Sequence, residues 1–206
     1  MFPERIRTER LLLEPRTPAY VDATRVYEIC SGDGMERLTR WLPWSPHDAP
    51  RTSESFLERG RAGWADGETA AYVIRLREGE LGGDPGEIVG FGGLDVDWDR
   101  RAGYLGVWLR EPFWGRGYSG ERATALVELA FDRLDLGVVR VSHEPRNEQS
   151  GRAIEKYVDR LGGRRDGVER NVTAYDDGTV HDEVQYSISR AEWLSATDGG
   201  TSVLSP

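Results

Sequence analysis

"WGRGYSGER", residues Trp114–Arg122, sets glycines at 115, 117 and 120 just ahead of a long amphipathic run. Read as G-x-G-x-x-G, it matches the dinucleotide fingerprint. That fingerprint needs a buried strand running directly into the first glycine and an acidic residue about 20 positions on, a role open to Glu144. Here Glu111, Pro112, Phe113 and Trp114 separate the preceding strand from Gly115. As a nucleoside-triphosphate loop it lacks the chemistry, because Glu121 and Arg122 stand where Lys and Ser/Thr would contact phosphate and magnesium. A third reading is a nest of backbone amides. Small residues opening a helix leave N–H groups pointing outward at the positive end of the dipole, which suits a pyrophosphate without lysine or metal. A ligand-free turn would also use Gly115 and Gly117, since glycine suits any tight bend.

Downstream, Ala123, Leu126, Val127, Ala130, Phe131 and Leu134 recur at helical spacing and define a buried face that ends at Gly137. The β-branched run VVRVSH (Val138–His143) predicts a strand. A second helix follows, with Ile154, Tyr157, Val158 and Leu161 on one face and Gly162–Gly163 at its end. NVTAY and VQYSIS around Asp176-Asp177-Gly178 predict a terminal hairpin.

Upstream, RLLLEP (Arg10–Pro15) reads as a strand, and Thr17–Pro18 as the cap and first residue of a helix that runs to Cys30 and ends near Ser31–Gly34. Trp41–Pro46, with two prolines, is a loop carrying two aromatics. A helix is expected from Thr52 or Ser53, presenting Phe56, Leu57 and Trp64. AAYVIRL, the turn EGELGGDPGE, IVGFGGLDVDW and YLGVWLR then predict an antiparallel meander. The fold expected is α/β of mixed α+β type: a mostly antiparallel mixed sheet with helices on both faces and one late β-α-β crossover. A single domain over residues 1–195 and a disordered tail over 196–206 are expected.

The 206 residues carry a net charge of −9, which argues against nucleic acid as a partner. An acidic surface could attract an amine or a basic peptide; with Lys156 the only lysine and acids spread along the chain, adaptation to high salt and a GC-rich genome accounts for it as well. Cys30 is the only cysteine, and His47, His143 and His181 lack ligand spacing, so neither disulfide nor metal is expected. No apolar stretch is long enough to span a bilayer, and the charged start MFPERIRTER predicts a soluble, cytoplasmic protein.

The run "REPFWGRGYSGERATALVELAF" resembles the pyrophosphate-binding segment of GNAT-type N-acetyltransferases, in the RimJ/RimL-like branch that acetylates ribosomal-protein N-termini. "RIRTERLLLEP", "AAYVIRL", "GEIVGFGGL", "RNEQSGRAIEKY" and "DEVQYSISRAEW" follow the same family order. The family's Q/R-x-x-G-x-G/A pattern falls on Trp114, Gly117 and Ser119, departing from it at two of three positions. The resemblance implies acetyl-coenzyme A between two splayed strands, its pantetheine along Val107, Trp108 and Leu109. Its pyrophosphate would lie on the loop Trp114, Gly115, Arg116, Gly117, Tyr118, Ser119 and Gly120.

By the same resemblance, Asn147 and Ser150 of "RNEQS" match an N-x-x-S motif, with Asn147 near the pantetheine and Ser150 near the sulfur as a proton donor. A helix cap explains Asn147 equally. The family's usual acid, a tyrosine seven residues after that asparagine, is replaced by Ile154; Tyr157 is one turn further along, where a core aromatic would also serve. His143 is the first candidate base, with Glu144, Asp95 and Asp97 as others. Arg116, Arg146 and Arg152 could pair with phosphates. Trp41, Trp44, Asp95 and the Trp64 region are expected to shape the acceptor pocket.

The activity implied is acetyl transfer to a protein N-terminal amine without a metal. The alternatives are a small-molecule amine such as a polyamine or aminoglycoside, and a non-catalytic acyl-coenzyme A sensor. The expected partner is the amine acceptor, with a homodimer left open and no membrane or nucleic acid.

Overall fold

The structure, a computed structural model, describes residues 1–77 and 83–197. In chain order the described elements are β1 (Ile6–Arg7), β2 (Leu11–Pro15), α1 (Ala23–Cys30), α2 (Met35–Thr39), α3 (Pro50–Asp66), β3 (Thr69–Leu76), β4 (Ile88–Asp97), β5 (Ala102–Leu109), α4 (Tyr118–Glu128), β6 (Val138–His143), α5 (Glu148–Arg160), β7 (Arg164–Ala174), β8 (Val180–Ser189) and α6 (Arg190–Ala196). They build a sheet of eight strands in the order β1-β2-β3-β4-β5-β6-β8-β7. Every pairing is antiparallel except β5 with β6, the two strands joined through α4.

Alternation along the strands divides the core between the two faces. Val73, Ile88, Phe91 and Trp108 pack with Val26, Ile29, Met35, Leu38 and Leu57 of α1–α3. Their neighbours Tyr72, Ile74, Val89 and Val107 turn to the other face, against Leu126 and Val127 of α4 and Ile154 and Val158 of α5. Trp193 of α6 joins this second cluster.

Several local expectations change. The first helix starts at Ala23, because Asp22 accepts the Thr24 N–H at 2.7 Å and takes the capping role. Thr17 and Pro18 form a turn instead, with the Tyr20 and Val21 amides on the Thr17 carbonyl. The third helix opens at Pro50, two residues before Thr52, using proline at its first position. Helix α4 opens at Tyr118 and ends at Glu128; the chain continues through a wider helical turn at Leu129–Arg133, so Gly137 lies beyond the helix.

The terminal hairpin is longer than NVTAY and VQYSIS imply, and α6 follows it behind a Ser189–Glu192 capping box. Ala196 ends α6 and Thr197 caps it, so the first two residues of the expected tail are ordered. Residues 198–206, like 78–82 of the EGELGGDPGE turn, lie outside the described residues.

Candidate active site

The parallel β5–β6 pairing runs only from Ala102↔Val138 to Leu105↔Val141. β5 continues to Leu109 paired with β4 alone, while β6 follows β8 to His143↔Val184. The two strands therefore part beyond Leu105, and one side of β5 is left without a neighbour. The Arg110 N–H bonds the Val89 carbonyl, so the two-residue alternation of an antiparallel pair turns the backbone groups of Val107 and Leu109 toward this opening. Gly106 sits at its apex, and a Cβ there would meet nothing within 4 Å.

A cleft of about 1090 Å³ occupies the opening. The loop after β5 forms one wall. Trp114 Nε1 donates to the Leu109 carbonyl at 2.6 Å, fixing the loop's departure. Gly115 (φ 73°) and Gly117 (φ 81°) both adopt the left-handed conformation that other residues avoid. Gly117 precedes α4 with no side-chain cap, and the first intrahelical bond is Glu121 N–H to the Gly117 carbonyl at 3.0 Å. The leading amides of α4 are thus spared from side-chain capping at the cleft wall, at the positive end of the helix dipole.

A clamp that sequence reading did not anticipate holds this loop. Glu121 accepts from the Arg10 N–H and Nε, both at 2.8 Å, and from Thr8 Oγ1. Arg10 Nη1 in turn donates to the Arg116 carbonyl at 3.0 Å. No local pattern links residues 111 positions apart.

Helix α5 forms the opposite wall. Asn147 caps it, Oδ1 accepting the Ser150 N–H at 3.2 Å, while Asn147 and Ser150 both line the cleft. His143 lines it too: Nδ1 meets the Glu144 carbonyl at 2.8 Å, Nε2 lies 3.3 Å from the Tyr186 hydroxyl, and the ring stacks on Tyr186. Gly151 permits this approach, since a Cβ there would stand 3.0 Å from the imidazole. Tyr157 reaches the cleft wall yet is only 1% exposed; burial holds its phenol protonated, the pKa pushed up to about 12. Arg152, ion-paired with Glu148, shares the rim with Lys156 and Arg160, which sequence reading did not single out.

The site thus gathers Val107, Trp108, Leu109, Trp114, Gly115, Arg116, Gly117, Tyr118, Ser119, Gly120, His143, Asn147, Ser150, Arg152, Tyr157 and Trp41 around one cleft. Trp44 and Asp95 are not in its lining. Trp44 stacks on Trp108 and His47 against the α1–α3 core, which buries the face expected to meet substrate. Asp95 is paired with Thr69 and Tyr104, at the end of β4 away from the opening, and accepts from Thr69 Oγ1. Trp64 likewise packs on Phe2 and Tyr72. Asp97 is held by Arg100, outside the lining. Glu144, buried at the cleft edge, accepts from the Arg146 N–H and Nε at 2.8 and 2.6 Å. The mouth lies near Trp41, flanked by Arg40 and Arg146, and the Ser45 N–H donates to Asp176 at the tip of the β7–β8 hairpin. Among the described residues no group of three or more His, Cys, Asp or Glu is placed to hold a metal, and no helix is long and apolar enough to cross a membrane.

A sheet parted beside an uncapped helix start defines an α/β transferase scaffold with an anion-binding loop. Residues 10–157 match the family described as "Acetyltransferase (GNAT) domain". The chain belongs to the GNAT acetyltransferase family and is an N-acetyltransferase. It is 30% identical over 187 residues to the Bacillus subtilis (strain 168) "Putative ribosomal N-acetyltransferase YdaF", covering 88% of this chain and 91% of that protein. An acetyltransferase structure from T. thermophilus is similar at 27% identity and TM-score 0.69, covering 96% of this chain and 95% of its own. The fold is shared at 17% identity and TM-score 0.75 with the microcin C7 self-immunity acetyltransferase MccE, solved with acetyl-CoA and AMP, over 91% and 97% of the two chains.

Proposed function

We propose that the protein transfers the acetyl group of acetyl-coenzyme A to a protein N-terminal amine. The carrying observation is the uncapped start of α4 in a cleft walled by the unpaired side of β5. The fit to coenzyme A rests on two further features: a Cβ at Gly115 would meet nothing within 4 Å, and the Tyr157 hydroxyl has no hydrogen-bond partner among the described residues. Amides from Gly117 to Gly120 would hold the pyrophosphate, with Arg116, Arg152, Lys156 and Arg160 supplying rim charge. The backbone groups of Val107 and Leu109 would hold the pantetheine amides as a further strand does.

Acetyl-coenzyme A supplies an activated acyl group, so the protein contributes position and electrostatics. An amide of β5 facing the opening would polarise the acyl carbonyl. His143 would accept the ammonium proton directly or through water, its ring fixed by Glu144 and Tyr186. Ser150 and Tyr157 both line the α5 wall, and the phenol of Tyr157, protonated and unengaged by the protein, suits the acid role better.

The choice of a protein N-terminus is supported by the ribosomal description of the 30%-identical relative. A thiol-release screen over ribosomal-type N-terminal peptides, polyamines and aminoglycosides tests it. Release only with peptides is expected; release only with polyamines or aminoglycosides would overturn the acceptor, and binding without release from any amine would make the protein a sensor.

A further inference from the structure

Arg122 is the fifth residue of α4, one turn after Tyr118 and one before Leu126, so helical spacing puts a guanidinium on the stripe that faces the core. It is 0% exposed, among the largest side chains buried so completely. Nε and Nη2 have no hydrogen-bond partner among the described residues, and Nη1 makes only a 3.5 Å contact with the Gly106 carbonyl at the apex of the parted strands. Burial disfavours its charge and lowers its pKa. On the next helix the Tyr157 hydroxyl is also buried without a partner, and α4 and α5 are in close contact there: a Cβ at Gly120 would lie 3.5 Å from the Tyr157 Cβ. An uncompensated buried guanidinium is expensive and is rarely kept where an apolar side chain would pack.

We propose that Arg122 is a positioning residue for acyl transfer, the buried counter-charge that allows Tyr157 to give up its phenolic proton inside a closed interior. The inference rests on the acetyltransferase reading with Tyr157 as acid. As the C–N bond forms and the C–S bond breaks, Tyr157 donates its Oη proton to the sulfur, which leaves with the bonding pair. The phenolate left behind faces Arg122 from α4 and regains a proton from solvent; the ammonium proton goes to His143 or water. The titratable groups acting on the phenol are Arg122, whose charge favours the ionised form, and Tyr186 of β8, which opposes it. With an apolar residue at 122 the phenolate would be buried without compensation and the proton would be retained.

The test uses Arg122→Met, Arg122→Lys, Tyr157→Phe and the Met/Phe double variant in the full chain. The first readout needs no turnover: fluorotyrosine placed at 157 is titrated by fluorine NMR in the ligand-free protein. R122M should shift its midpoint to higher pH and R122K should restore most of it; an unchanged midpoint overturns the proposal. In steady state R122M should lower kcat roughly 10- to 100-fold with KM for acetyl-coenzyme A unchanged, and the double variant should be no slower than Y157F. Full kcat in R122M, or additive losses, would also overturn it. A structural role predicts a lower Tm for R122M, whereas removal of an unpaired buried charge should leave Tm unchanged or raised. Should R122M not fold, R122Q carries the same comparison. If wild type neither binds acetyl-coenzyme A nor releases thiol, the parent reading fails first; if it does both, these variants judge Arg122 alone.

Discussion

Glu121, on the first turn of α4, and Arg10, at the start of β2, are joined by 2.8 Å bonds from both the backbone and the guanidinium of Arg10, and the same guanidinium holds the Arg116 carbonyl. The edge of the sheet thereby fixes the loop that opens the helix. Because the pair is partly buried, loss of one member strands the other. Glu121→Gln should cost about 1–3 kcal/mol and raise KM for acetyl-coenzyme A more than it lowers kcat. Thermal melts and steady-state kinetics check this; an unchanged KM would show that the clamp does not position the loop.

Gly117 occupies φ 81° next to Arg10 Nη2, 3.5 Å from where a Cβ would lie. Gly117→Val should therefore strain the loop by about 1–2 kcal/mol and abolish thermal stabilisation by acetyl-coenzyme A. A variant that folds and still shows the full shift would remove the helix start from the binding site.

Asn147 both caps α5 and lines the cleft. Asn147→Ala should lose about 1 kcal/mol, and Asn147→Asp, another good cap, should recover it. If Asn147 also meets the bound thioester arm, N147D should regain Tm without regaining kcat/KM. Parallel recovery of both would leave it a cap alone.

Burial of His47, whose Nδ1 lies 2.7 Å from Ser53 Oγ, lowers its pKa. The unfolded chain then binds a proton near pH 6.5 while the folded chain does not, so stability is full above about pH 6.5 and falls as pH drops toward the depressed folded value. Melting curves from about pH 8 to 5 should show wild type losing Tm faster than His47→Asn below about pH 6.5. Equal slopes would contradict a neutral buried imidazole.

The amphipathic faces of α4 and α5 and the strand VVRVSH were legible because periodicity records burial directly. Helix α2, five residues long, is too short to carry a period, and Thr17–Pro18 lost to Asp22 because two adjacent cap signals compete for one helix. Sequence reading placed most of the cleft through the resemblance and the glycine loop. It misplaced Asp95 because alternation gives the face of a strand and not which end of the sheet opens. It misplaced Trp44 because loop sequence does not say which way a side chain turns. Arg122 was visible only as the residue that spoils a nucleotide loop; its helical spacing from Tyr118 already put it on the buried side.

The central claim, a coenzyme A pyrophosphate on the start of α4, is tested most directly by calorimetric titration with acetyl-coenzyme A and with S-acetylpantetheine, which lacks the pyrophosphate. Acetyl-coenzyme A should bind tightly and S-acetylpantetheine at least roughly 100-fold more weakly, a loss of about 3 kcal/mol. Equal affinity for the two, or no binding of acetyl-coenzyme A, would contradict it.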